Sequence, residues 1–181
     1  MSISKRCLNH GLVFLAAVFI ITGCATVPTD DIKINIELDP KANLKGYKTY
    51  NWAGSAALVY DPSGQWEPPE LDLDSEFRFL IDREMRAKGF TQSTTDPDLL
   101  VGYVAGIDMD AIEFKKKPES NLKVLQNVPK GALIVVLIDT NTQFPVWAGE
   151  AVADIQQKMT PELTKGRLDY VVSKMFADLP R

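Results

Sequence analysis

The sequence predicts an α+β domain in which two amphipathic helices pack on one face of a mostly antiparallel, mixed β-sheet. Short segments alternate apolar and polar residues with the period of a strand, and two longer segments place apolar residues at helical spacing. The predicted order is strand, strand, helix, strand, strand, strand, helix. Helices that are apolar on one side can cover one face of a sheet, and the helix after the second strand allows one parallel neighbour.

The first two predicted strands precede a long connection. Ile32–Leu38 alternates apolar and polar residues at every position, which indicates a strand with one buried face. The aromatic segment Tyr47–Ala53 is predicted as the second strand. Gly54–Glu70 then contains Tyr60 and Trp66, and connections of this length are commonly binding loops or lids.

The next segment is predicted as a helix because its apolar residues form one stripe. The stripe consists of Leu73, Phe77, Leu80, Ile81 and Met85. Asp72 or Asp74 can cap its start, and Gly89 stands where a left-handed residue ends a helix. Three oppositely charged pairs at i,i+4 are predicted on its polar side: Asp74–Arg78, Asp82–Arg86 and Glu84–Lys88.

Three further strands and a second helix complete the prediction. Leu99–Ile107 is a strand with one apolar face, Ala132–Asp139 is a central strand covered on both faces because it is continuously apolar, and Val146–Ile155 pairs back as a hairpin. The polar stretch Lys115–Lys130 is predicted to be irregular. A helix follows Thr160-Pro161-Glu162, which supplies a cap, a proline at the first position and an acid near the dipole. Its buried stripe is Leu168, Val171, Val172, Met175, Phe176 and Leu179.

The N-terminus has the pattern of a secretory signal. Lys5 and Arg6 precede an apolar run, Gly11–Ile21, of 11 residues. A spanning helix needs about 20 apolar residues, so this run is too short to cross a bilayer.

The residues Ile21-Thr22-Gly23-Cys24 at the end of this run resemble the bacterial lipobox. The resemblance implies attachment of a diacylglyceryl group to Cys24, cleavage after Gly23 and acylation of the new amino terminus. The predicted division is a signal peptide (1–23), a lipidated tether (24–31) and one domain (32–181). Ala25 favours the outer membrane, facing the periplasm. The alternative is an ordinary signal peptide with a chance cysteine.

The composition of residues 24–181 argues against several classes of function. Without Lys5 and Arg6, 18 basic side chains face 24 acidic ones, which gives a net charge of −6 and disfavours nucleic-acid binding. Cys7 and His10 are removed with the signal, so no histidine and no free thiol remain. This excludes Ser-His-Asp and Cys-His nucleophilic sites and the usual zinc sites. We therefore expect no enzyme, no metal and no cofactor.

Four segments together resemble bacterial lipoproteins that carry the domain of unknown function 4136. They are the strand "YKTYNW" (Tyr47–Trp52), Lys88-Gly89-Phe90, "DPDLLVGY" (Asp96–Tyr103) and the hairpin Gly131–Ala151. The resemblance implies an envelope lipoprotein and carries over no catalytic residue. The sequence departs from the pattern at Ala148 and in the stretch after Lys115.

Two acidic groups have competing interpretations. Asp72-x-Asp74-x-Glu76 begins like a calcium loop but lacks the later glycine and glutamate, so helix capping is the favoured interpretation. Asp108 and Asp110 share a strand face about 6–7 Å apart, a spacing that does not forbid glycoside hydrolysis. A solvated strand end explains them better.

Basic and aromatic residues are the candidates for partner contacts. Lys115–Lys117 can meet anionic headgroups or an acidic partner, or form a solvated loop, which is favoured. Tyr60 and Trp66 are candidate partner-binding residues, with a flap over the sheet as the favoured alternative. Trp52 and Trp147 are predicted to pack in or near the core.

The predicted function is a membrane-anchored envelope module. It contacts the lipid membrane through acylated Cys24 and binds an envelope protein, a cell-wall polymer or a small ligand. A carboxylate-dependent glycan hydrolase built on Asp108 and Asp110 is the alternative.

Overall fold

The computed structural model describes residues 26–54, 59–60, 64–65, 70–116, 123–156 and 159–180. Within them the strands are β1 (Lys33–Leu38), β2 (Thr49–Trp52), β3 (Val59–Tyr60), β4 (Thr91–Gln92), β5 (Leu99–Asp108), β6 (Ile112–Lys116), β7 (Lys123–Asn127), β8 (Lys130–Asp139) and β9 (Pro145–Asp154). The helices are α1 (Leu73–Ala87) and α2 (Pro161–Ala177), and Leu44–Gly46 forms one 3₁₀ turn.

Seven of the described strands form one mixed sheet in the order β1-β9-β8-β5-β2-β4, with β3 also paired to β5. The pairs β1–β9, β8–β9 and β5–β8 are antiparallel, whereas β2 and β3 both run parallel to β5. α1 lies in the connection that returns the chain from β2 to β5, as a parallel pair requires. The predicted α+β class and its parallel neighbour are confirmed.

α1 begins and ends where its capping residues predict. The Asp72 carboxylate accepts the Ser75 N–H at 3.1 Å, and Gly89 has a φ of +85°. The Asp74–Arg78 ion pair forms. Lys88 instead donates to the carbonyl oxygens of Ala177 and Leu179, so it closes the end of α2 rather than pairing with Glu84 as predicted.

Both helices cover the same face of the sheet. Tyr103 of β5 packs on Phe77 of α1, with ring centroids 5.2 Å apart, and Trp147 of β9 packs on Phe176 of α2 at 4.9 Å. Trp147 is fully buried and Trp52 packs at the rim of the core, as predicted. The predicted stripes of both helices supply a large part of the core, and strands β2, β5, β8 and β9 supply most of the rest.

The prediction that β8 is covered on both faces is wrong. Leu133, Val135 and Leu137 are buried under the helices, but Ile134, on the other face, is 41% exposed. A continuously apolar strand fits a sheet buried on both sides, yet both helices of this chain lie on one side. Val104 of β5, opposite Ile134 in register, is 49% exposed, so the outer face is open at its centre.

The prediction of an irregular stretch after Lys115 is also wrong. β6 and β7 pair antiparallel as a separate hairpin, with Ile112 opposite Asn127 and Lys116 opposite Lys123. Ile112 and Leu125 are both largely exposed. Because the hairpin does not bury these apolar side chains, no inside-outside alternation marked its strands in the sequence.

Candidate functional site

The segment before β1 is docked on α2. A Cβ added at Gly166 would lie 2.7 Å from Cγ2 of Val27, closer than side chains pack. Glycine inside a helix costs about 1 kcal/mol relative to alanine. The absent side chain at this position leaves room for Val27.

Arg167 holds the same segment by charge. Its side chain is 8% exposed, and its guanidinium donates to Asp31 Oδ1 at 2.9 Å and to Asp31 Oδ2 at 2.6 Å. It also donates to the carbonyl oxygens of Pro28 and Asp154. Removing one partner of a buried pair leaves the other charge uncompensated, so each side chain depends on the other.

The Asp31 carboxylate is held in its charged form. Burial alone would raise its pKa, but hydrogen bonds and charge from Arg167, together with the Asp154 N–H at 2.9 Å, lower it below 3.8. The Asp31 carboxylate is therefore ionised near neutral pH. We call the contacts of Arg167 with Asp31, Pro28 and Asp154 the clamp. The clamp connects the N-terminal segment and the end of β9 to α2.

Part of the predicted tether lies against the domain. Val27 contacts Gly166 of α2, and Pro28 and Asp31 both accept hydrogen bonds from Arg167. Ile21, Thr22, Gly23 and Cys24 lie outside the described residues. Neither helix in the described ranges is long and apolar enough to cross a membrane.

A tyrosine–aspartate network lies between α1 and the sheet. Asp82 Oδ1 accepts the Tyr50 hydroxyl at 2.7 Å and the Trp52 indole N–H at 3.2 Å. Asp74 accepts the Tyr103 hydroxyl. Burial, followed by the bond to a carboxylate, raises the pKa of Tyr50 and of Tyr103, so both remain neutral donors that hold α1 in place.

The acidic residues at the start of α1 have separate partners. Asp72 caps the helix through Ser75, whereas Asp74 binds Tyr103 and Arg78. Glu76 lies 3.5 Å from Lys165 of α2. No group of three metal-ligating side chains occurs in the part of the chain that the structure describes. The arrangement agrees with the capping interpretation of Asp72.

A second polar cluster joins the loops at one end of the sheet. Asp98 Oδ2 accepts the N–H groups of Lys48 and Thr49 at 2.7 and 2.8 Å, and these bonds lower the pKa of Asp98. Tyr47 donates to Asp139 at 2.6 Å, which raises the pKa of Tyr47 to about 12. Thr140 donates to the carbonyl oxygens of residues 97 and 98. Through these hydrogen bonds the cluster holds the ends of β2, β5 and β8 together.

The predicted carboxylate pair lies on the surface. Asp108 and Asp110 are both exposed, and the Asp110 N–H donates to Asp108 Oδ1 at 2.9 Å in the turn between β5 and β6. A shallow depression of about 250 Å³ is lined by the ends of β1 and β9, from Glu37 to Asp39 and from Pro145 to Ala148. The two carboxylates are not part of its lining.

The aromatic and basic candidates are described only in part. The backbone of Tyr60 belongs to β3, which pairs with β5, and Tyr60 lies opposite Gly106 in the register. Lys115 and Lys116 belong to β6. Trp66 and Lys117 lie outside the described residues. The partner-binding role of Tyr60 and Trp66 stays a prediction.

The fold and the docked segment define an α+β domain whose N-terminal segment is fastened to its last helix. A family model for the domain of unknown function DUF4136 matches residues 34–181. The chain belongs to the DUF4136 family, and the predicted resemblance is confirmed. A comparison with curated proteins finds no match.

Three solved structures are similar to this chain at low sequence identity. A DUF4136 family protein from Bacteroides thetaiotaomicron aligns with a TM-score of 0.53 and 13% identity over 80% of this chain and 96% of that chain. The PelC dodecamer subunit from Paraburkholderia phytofirmans gives 0.46 and 11% over 81% and 95%. A PDZ domain protein from Parabacteroides distasonis gives 0.47 and 14% over 83% of this chain, which spans 36% of that protein. The likeness to the first shows the fold alone.

Proposed function

We propose that the protein is a bacterial envelope lipoprotein anchored through acylated Cys24, and that its domain is a non-catalytic binding module held at the membrane surface. The observation that supports it most is the docked segment, because the clamp at Arg167 begins only a few residues after the lipobox. Three residues from Cys24 to Val27 span at most roughly 10 Å. This short connection holds the domain close to the membrane surface.

The lipid chemistry fits stable anchoring. One acyl chain binds a membrane only marginally, whereas two or more hold it stably, since each buried CH₂ adds about 0.8 kcal/mol. The lipobox resemblance implies a diacylglyceryl group plus an acylated amino terminus on Cys24. Ala25 after the cysteine favours the outer membrane over the inner one.

The anchor is tested with the two cysteines of the chain as a matched pair. Cells that express the wild type, Cys24→Ala or Cys7→Ala are labelled with an alkyne analogue of palmitate and then fractionated. We expect the wild type and Cys7→Ala to carry label and to sediment with membranes, and Cys24→Ala to lose both. Label that persists in Cys24→Ala would overturn the anchor.

The open outer face of the sheet supports the binding role. Val104 and Ile134 lie side by side there, 49% and 41% exposed, and Gly106, two residues after Val104 on β5, adds no side chain to this face. An exposed apolar patch of this kind suits a protein partner in the envelope better than a polar wall polymer. Residues 25–181 contain no histidine and no cysteine, which agrees with a non-catalytic role.

The binding role is tested by photo-crosslinking in cells. A photoreactive amino acid is placed at Ile134 on the outer face, or at Phe79, a 58% exposed residue of α1 on the helical side. We expect a discrete crosslinked product from position 134 and none from position 79. Equal products from both positions, or none from 134, would count against the outer face as the binding surface.

A further inference from the structure

β1 forms an edge of the sheet whose outer side is unpaired in the described residues. The Asp39 N–H donates to the Val146 carbonyl at 3.1 Å, so by alternation the odd-numbered residues carry the bonds to β9. The N–H and C=O groups of Ile34, Ile36 and Leu38 therefore face outward. Such an edge is a template for another strand.

The side chains of this edge are complementary to themselves. The sequence of β1 is "KINIEL", with Lys33 and Glu37 placed symmetrically about Asn35. All three are exposed on the outer face of the sheet. Within the described residues neither Lys33 nor Glu37 forms an ion pair, so both charges are available.

We propose that β1 pairs antiparallel with β1 of a second copy of this chain, around a two-fold axis at Asn35. In this register Lys33 faces Glu37 of the partner subunit twice, and Ile34 faces Ile36 of the partner subunit twice. The outward-facing residues then form the hydrogen-bonded pairs, as an antiparallel ladder requires. Opposite charges directly across two strands are favourable, whereas like charges are not.

The aliphatic side chains support the same register. Ile34 and Ile36 lie only partly buried at the border of the core, and Leu38 is 43% exposed. Pairing continues this row of aliphatic side chains from one subunit into the other beneath a single sheet. The interface is isologous, because the same strand contributes to both sides.

A covalent trap is the appropriate test, because five paired residues from each subunit bury far less than the roughly 1,200 Å² of a stable complex. Residues opposite each other at a non-hydrogen-bonded position have Cα atoms about 4.5 Å apart, which suits a disulfide. The full-length chain carrying Asn35→Cys is oxidised with copper phenanthroline and analysed on a non-reducing gel. Lys33→Cys is the matched control, since its two copies are offset by about 13 Å along the strands.

We expect a dimer band for Asn35→Cys well above that of the wild type and of Lys33→Cys. Adding Glu37→Lys to Asn35→Cys should reduce the band roughly fivefold or more, because lysine then faces lysine, and adding Lys33→Glu as well should restore it. Equal bands for Asn35→Cys and Lys33→Cys, or no restoration, would overturn the proposal. The dimer band of the wild-type chain gives the background from disulfides formed through Cys24. The comparison therefore holds whether or not that cysteine is acylated.

Discussion

At the scale of single residues, Asp98 joins the start of β2 to the start of β5 through one carboxylate oxygen. Asp98→Ala removes the acceptor for the N–H groups of Lys48 and Thr49 and for the Thr49 hydroxyl. We expect the free energy of unfolding to fall by about 1–3 kcal/mol, measured by urea denaturation. Asp98→Asn keeps one acceptor oxygen and should lose less. An alanine variant as stable as the wild type would contradict this role.

Gly149 is a second position where one atom decides the packing. An added Cβ would lie 2.8 Å from Cη2 of Trp147 and 3.3 Å from Cδ1 of Ile36. The indole is fully buried against Phe176 and has little room to move. We expect Gly149→Ala to destabilise the domain by about 1–3 kcal/mol and to change the near-ultraviolet circular dichroism of Trp147.

Gly102→Ala is the control for this substitution. A Cβ added at Gly102 would lie 3.4 Å from Cγ2 of Val136, at the short end of ordinary van der Waals contact. A loss of stability equal to that of Gly149→Ala would show that the indole is not the cause.

At the scale of elements, the first half of α2 serves as the dock for the N-terminal segment. Gly166→Ala should strengthen the helix by about 1 kcal/mol but displace Val27, whose Cγ2 would lie 2.7 Å from the new Cβ. We therefore expect global stability to change little, while the amides next to the clamp exchange faster in hydrogen-exchange mass spectrometry. Adding Val27→Ala removes the clash and should restore their protection; unchanged exchange in Gly166→Ala would contradict the dock.

The elements that the sequence predicted correctly share one property, a single face turned to the core. α1, α2, β1 and β5 each show their buried stripe as a periodic pattern. β6 and β7 bury neither Ile112 nor Leu125, and β3 has two residues, so neither region carries a pattern long enough to read. A periodic pattern of apolar residues arises because one face of an element is buried, so a strand that buries neither face cannot be predicted from such a pattern.

The clamp at Arg167 left a weaker signal that sequence reasoning missed. Arg167 lies four residues before Val171, on the buried stripe of α2, where a charge needs a buried partner. The position of Arg167 on the buried stripe indicates that a carboxylate pairs with it. The sequence does not show that this carboxylate is Asp31, because the pairing depends on how the segment before β1 crosses α2.

At the scale of the whole molecule, the clamp makes the N-terminal segment sensitive to acid. The pKa of Asp31 is lowered in the folded chain, so its stabilising contribution is complete above the ordinary value of 3.8 and is lost as the pH falls through the lowered pKa. Asp31→Asn should cost about 3 kcal/mol near neutral pH. We expect the difference between the wild type and Asp31→Asn to shrink below about pH 4, measured by urea denaturation at several pH values; a difference independent of pH would contradict the clamp.

The pairing of β1 with β9 has a consequence for the order of folding. β1, the first of the described strands along the chain, forms its bonds with residues 147–152, which are synthesised more than a hundred residues later. The β8–β9 hairpin can close from neighbouring residues, but the loop from β1 to β9 encloses more than a hundred residues and costs entropy before it gains contacts. We therefore expect β1, and the clamp beside it, to join the sheet last. During synthesis, β1 then stays unpaired until residues 147–152 have been made.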